Sequence, residues 1–179
     1  MTPHDRPAPG SPEAFIAHSR RFLCEEYPAK LRLALEKLPP DDLWWRPSPG
    51  SNSVGNLLLH LAGNVRQWVV SGIGGAPDVR ERAGEFEAGG GMGIEDVWAV
   101  LQSAVDDAGR AIDALDAESL GRQLSIQGLE VECMEALYHV VEHFSMHTGQ
   151  ILWIIKARAR QDLDFYQVDE QGRVIGTRW

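Results

Sequence analysis

Apolar residues recur along this chain at the 3.6-residue period of amphipathic helices in four long stretches, separated by polar, proline- and glycine-rich breaks. The cleanest stretch begins at Val54, with apolar positions at 54, 57, 58, 61, 65, 68 and 69. Ser51-Asn52-Ser53 ahead of it supplies N-cap side chains, and Gly72-Ile73-Gly74-Gly75-Ala76-Pro77 stops it. An earlier stretch starts with Ser11 as cap and Pro12 at the first helical position, then places Phe15, Phe22, Leu23, Leu31, Leu35 and Leu38 inward. Pro28 predicts a kink or break near Glu26 and Tyr27, and Pro39-Pro40 ends the helix. The next residues, Asp41 to Trp45, predict a short helical turn that lays two indoles across the bundle. The third helix is expected over about 94–115, with Val97, Trp98, Leu101, Val105, Ala108 and Ile112 inward. The fourth runs over about 132–158 and ends in basic residues that complement its dipole.

Between the second and third helices lies a polar, glycine-rich crossover of about 20 residues, with Arg80, Arg82 and Gly89-Gly90-Gly91. Its arginines are candidates for meeting an acidic substrate group. Leu124 to Val131 reads as a connector with an extended piece. The tail, Phe165 to Ile175 around Asp169-Glu170-Gln171-Gly172, reads as a small β-hairpin. Four long helices with one long crossover predict an all-α four-helix bundle. The expected organisation is a disordered arm over 1–12, the bundle over 13–160 and a C-terminal extension over 161–179.

At 179 residues, with 44% hydrophobic and 24% charged positions, the composition is that of one globular domain. A net charge of −9 argues against nucleic-acid binding and against an anionic membrane surface, both of which select basic patches. No apolar run approaches the roughly 18 residues of a membrane span. The two cysteines, Cys24 and Cys133, fit no metal or redox spacing, so a reducing cytoplasm is the expected location.

Half of the six histidines fall in one helical segment, at 139, 143 and 147. Spacing of four places them on a single stripe of about 80° of arc. Ala136, Val140, Ile151 and Ile154 lie on or beside that arc, so the stripe faces an apolar interior. An adjacent pair can hold one divalent ion, whereas the outer two stand about 12 Å apart along the helix. The ion would take one adjacent pair and a further ligand from elsewhere. In the second helix His60 sits on the flank of the apolar stripe, with Asn56 and Asn64 one turn to either side, as suits a helix lining a polar cleft.

Together, His60-Leu61-Ala62-Gly63-Asn64 and His143-Phe144-Ser145-Met146-His147-Thr148-Gly149-Gln150 resemble the paired motifs of DinB-like metal-binding bundles. The resemblance runs from about Phe15 to Lys156. It implies an up-up-down-down bundle, often dimeric, with His60, His143 and His147 as ligands of a divalent cation, zinc or nickel most often. Relatives include thiol-dependent enzymes such as bacillithiol S-transferases and maleylpyruvate isomerases. Thr148 stands where many relatives carry arginine, which sets this chain in a branch of unassigned function.

Three neutral imidazoles leave a coordination position open, as in catalytic zinc sites, and iron or manganese fits the same donors. Asn64, His139, Glu142 and Gln150 are near enough in sequence to surround the ligands, with Glu142 the candidate general base. His139 lies one turn too far from His147 to join the same pair. These expectations make the chain a metal-dependent enzyme acting on a small molecule, with thiol transfer ahead of hydrolysis. The alternative is a non-catalytic, stress-related protein with a structural metal. A homodimer is expected from the resemblance and from six tryptophans in a small bundle. Metal binding should weaken below about pH 6.5, the ordinary imidazole value.

Overall fold

The computed structural model describes residues 7–178. The expected N-terminal arm falls partly outside them, at 1–6. The chain is mostly helical, with two small antiparallel hairpins.

Helix α1 spans Pro12–Arg21, capped by Ser11, whose Oγ accepts from the Ala14 amide at 3.2 Å. A wide-turn π segment, Phe22–Glu26, joins it to α2, Tyr27–Leu35. Pro28 explains the wide turn. It lacks the N–H that the Cys24 carbonyl would meet in α register, and the chain shifts so that Tyr27 N–H bonds the Phe22 carbonyl instead. The break therefore falls where the sequence places it, as a widened turn within a continuous helical run. The short turn after Pro39 is a 3₁₀ helix, Pro40–Asp42.

Helix α3, Val54–Val65, continues through a second π segment, Arg66–Ile73. Within the crossover a short helix, α4 (Arg82–Glu87), forms and packs on α3. Helix α5, Ile94–Asp113, packs on α3 and its continuation. The connector is a hairpin, β1 (Gln123–Ile126) with β2 (Leu129–Glu132), closed by Gln127 and Gly128, both at positive φ as a two-residue turn of this kind requires. Ile126 at its tip is buried against Gly72, where a Cβ would lie 2.4 Å from Ile126 Cδ1. Helix α6, Cys133–Ala159, packs on α2, α3 and the second π segment. Leu31, Leu57, Leu61, Leu101, Ile112 and Phe144 are fully or almost fully buried between these helices.

The expected tail hairpin is present as β3 (Tyr166–Val168) and β4 (Val174–Thr177), with an irregular register at Gln167 and Val168. Leu163 anchors the extension in the core, and Lys37 Nζ donates to the Asp162 carbonyl at 2.8 Å. Among the described residues no helix is long and apolar enough to cross a membrane.

Candidate metal centre

Helix α3 begins with a reciprocal cap that also builds the site. Ser53 Oγ accepts from the Asn56 amide at 3.1 Å, while Asn56 Oδ1 accepts from the Ser53 amide at 3.1 Å. The Asn56 amide nitrogen then donates to the carbonyls of Glu85, Phe86 and Ala88, at 2.9, 3.3 and 2.7 Å. Arg46 reaches two of the same carbonyls, those of Phe86 and Ala88. These donors satisfy the free carbonyls at the end of α4, which a six-residue helix cannot satisfy itself. Asn56 thus pins the crossover over α3, where the sequence suggested that it lines a cleft.

One turn on, His60 is 5% exposed and held from both sides. Its Nδ1 lies 2.9 Å from Glu85 Oε2, and the Phe86 ring packs on it with centroids 4.7 Å apart. Glu85 in turn accepts from Arg80 at both oxygens, 2.7 Å to Nε and 2.8 Å to a terminal nitrogen. Both side chains of this pair are buried, at 4% and 9% exposure. Burial disfavours the Glu85 carboxylate, but the hydrogen bonds from Arg80 and His60 prevail and hold its pKa below the ordinary value. Gly63 makes the space: a Cβ there would lie 1.9 Å from Glu85 Oε1. Arg80 therefore does not meet a substrate carboxylate, because Glu85 occupies it. Arg82 lies over the Phe86 ring, 5.0 Å from its centroid.

Helix α6 brings the other two imidazoles. His60 Nε2 and His143 Nε2 face each other at 3.1 Å, and the His147 ring lies 4.4 Å from His143 and 5.0 Å from His60. One ligating atom from each of His60, His143 and His147 lies within 4.8 Å of the others. Two nitrogens bound to one ion at about 2.1 Å stand roughly 3.0–3.4 Å apart, so the donor set fits a divalent cation. An Arg80 terminal nitrogen also lies 3.1 Å from His60 Nδ1, but it donates at the shorter 2.8 Å to Glu85 Oε2. The carboxylate, 2.9 Å from Nδ1, favours the tautomer with a free lone pair on Nε2. Gln150 Oε1, 2.7 Å from His147 Nδ1, does the same for that ring. Burial pushes the His143 pKa down to about 3, helped by His147, His60, His139 and Arg80, and burial also lowers His147. Both rings are neutral at physiological pH, the form a metal needs.

His139 stands outside this cluster. Its ring packs on Trp68 at a tilt of 40°, with centroids 4.1 Å apart, and lies 5.6 Å from His143, and burial lowers its pKa. His60 meeting His143 and Trp68 meeting His139 means that α3 and α6 run in opposite directions here. Asn64 is buried, and its Oδ1, like His143 Nδ1, lacks a hydrogen-bond partner among the described residues. Glu142 is exposed, and its charge raises the pKa values of His139 and His147 against the effect of burial. Beside Gln150 opens a groove of about 570 Å³, lined by Leu57, Met146, Gly149, Trp153 and others.

The family resemblance named the three histidines that the fold brings together. The residue pattern singled out Arg80 for a substrate group rather than for Glu85, and missed Glu85, Phe86 and Trp68 as neighbours of the site. The one sequence signal for Glu85 was Gly63 in the His60–Asn64 motif, a glycine inside a helix that otherwise has no need of one.

No curated protein matches the chain. Among solved structures it is similar to a DinB-like protein from Bacillus subtilis, with a TM-score of 0.61 and 21% identity, over 86% of this chain and 96% of that one. The family model described as mycothiol-S-transferase matches residues 20–161. That match takes in both histidine motifs and every helix from α2 to α6, and the chain belongs to this family of DinB-like proteins.

Proposed function

We propose that the protein is a metal-dependent S-transferase that joins a low-molecular-weight thiol, mycothiol by its family, to a small electrophile. The observation that carries this reading is the convergence of His60, His143 and His147 within 4.8 Å in a chain of that family. In this reading the long helical runs form an up-up-down-down four-helix bundle over 13–160, with 161–179 as its extension. The protein works as a homodimer in the cytoplasm.

A divalent ion held by the three imidazoles, zinc or nickel first and iron or manganese next, would supply a Lewis acid that favours thiolate over thiol near neutral pH. Glu142, exposed and one residue before His143, receives the thiol proton. The sulfur lone pair then forms the S–C bond to the electrophile, and the leaving group departs with its electron pair. His143 and His147 are only partly buried, so the site has an open side. That side favours catalysis over a sealed structural metal. The groove past Gln150 admits the electrophile, with Met146 and Trp153 as apolar walls. Asn64, His139 and Gln150 fix the histidines and water around the site.

The test is a thiol panel, mycothiol included, with a model electrophile on metal-loaded, chelator-treated and His147→Ala protein. Turnover only in the loaded native protein supports the reading. Turnover that survives metal removal sinks it. No turnover, with a large loss of thermal stability on chelation, favours a structural metal instead.

A further inference from the structure

The crossover is polar and largely irregular, yet it supplies the most completely buried ion pair among the described residues. Arg80 and Glu85 meet through two hydrogen bonds at 4% and 9% side-chain exposure, and Glu85 Oε2 lies 2.9 Å from His60 Nδ1. Desolvating two charges is costly, and a hydrophobic pair would hold a loop as well. The pair is also wired outward. Arg80 donates to Gln67 Oε1 at 2.9 Å, Gln127 of the β1–β2 turn donates to the same oxygen, and Gln67 Nε2 donates to Asp78 at 2.7 Å. Gly63 is shaped for the carboxylate, and Asn56 holds the backbone of Glu85 itself. A loop anchored only for stability would not need its sole buried carboxylate on an imidazole that faces two others.

Resting on the metal reading above, we propose that Glu85 and Arg80 are positioning residues of the metal centre. Glu85 accepts a hydrogen bond from His60 Nδ1–H and so aims its Nε2 at His143 and His147, while Arg80 fixes the carboxylate in that pose. By reciprocity, an ion that draws His60 Nε2 inward strengthens the Nδ1–H···Glu85 bond and tightens the crossover onto α3. The crossover is then a metal-responsive flap, and residues 80–87 report the occupancy of a site to which they contribute no ligand.

Two measurements on the full-length chain test this. Zinc affinity is measured by competition with a chromophoric chelator, alongside the visible spectrum of the cobalt-loaded protein. Glu85→Gln and Gly63→Ala should each weaken zinc by about 10- to 100-fold and alter the cobalt spectrum. Arg80→Lys should recover part of the loss seen in Arg80→Met. Amide hydrogen exchange with and without zinc is the second measurement and needs no variant. Zinc should slow exchange at residues 80–87 in the native chain. Native affinity and spectrum in folded Glu85→Gln, or exchange at 80–87 indifferent to zinc, would overturn the proposal and leave the three-histidine site standing. Failure of the native chain to bind any divalent ion would instead overturn the metal reading, and this proposal with it.

Discussion

His60 Nε2 and His143 Nε2 face each other at 3.1 Å across helices α3 and α6, although 83 residues separate them in the chain. Two imidazole nitrogens with their lone pairs turned together repel, unless a proton or a cation lies between them. Burial and neighbouring positive charge push the His143 pKa down to about 3, so the ring is neutral. Its one N–H can bridge the two nitrogens, and a divalent ion bound there would take that proton's place. The fold is arranged around that pair. Glu85 fixes His60 from the crossover, whose backbone Asn56 of α3 holds, and Phe144, buried beside His143, seats α6 against Tyr27 with ring centroids 5.8 Å apart.

Stability of the metal-free protein depends on pH with a definite sign. His143 protonates at about 3 when folded against 6.5 ordinarily, and burial lowers His139 and His147 too. Below pH 6.5 the unfolded chain takes protons that the folded chain refuses, so stability held above 6.5 is lost as pH falls toward 3. Thermal midpoints of chelator-treated protein should drop between pH 6.5 and about 5, above the carboxylate range. His143→Gln should flatten that slope. An equal slope in the variant would contradict the assignment.

The crossover depends on one amide. Asn56→Ala removes the reciprocal cap with Ser53 and the three bonds to carbonyls 85, 86 and 88. A loss of about 1–3 kcal/mol in urea unfolding is expected, with faster amide exchange across 80–90. Unchanged exchange there would show that Arg46 alone suffices to hold the carbonyls.

His139 packs on Trp68 and lies outside the ligand cluster. His139→Phe keeps an aromatic ring against Trp68, so it should leave metal content at one ion per chain and lower stability by less than about 1.5 kcal/mol. Elemental analysis of the purified variant checks the first part. Loss of the ion would place His139 among the ligands.

Glu142→Gln removes the proposed base and retains its shape. Thiol-transfer kcat should fall by about 10²-fold at neutral pH while metal content stays native. Full activity in this variant would move the proton to water or to substrate.

The sequence carries the frame of this fold because helix periodicity and proline are local signals. The stripe from Val54 to Val69, the break at Pro28 and the 139/143/147 register all follow from neighbours within a few residues. The π segments were not legible, since they answer to packing and to a missing amide hydrogen rather than to composition. The β1–β2 hairpin was read only as an extended connector, because Gln127-Gly128 is a weaker turn signal than Asn-Gly. Glu85 carried no signal of its own on a polar loop, and Arg80 read as a candidate for an acidic substrate group rather than as the partner of Glu85. What buries them is Gly63, 22 positions away from Glu85, and no periodicity links a loop carboxylate to a helix glycine. The expectation that metal binding weakens below about pH 6.5 used the ordinary imidazole value, which carries no account of burial; burial lowers His147 and pushes His143 down to about 3.

The central claim is that His60, His143 and His147 hold one divalent ion. Its most direct measurement is elemental analysis of the protein as purified, beside His60→Ala, His143→Ala and His147→Ala, each shown to be folded by circular dichroism. The account predicts one zinc- or nickel-class ion per native chain and loss of most of it in every variant. Full occupancy retained in His60→Ala and His143→Ala would contradict it.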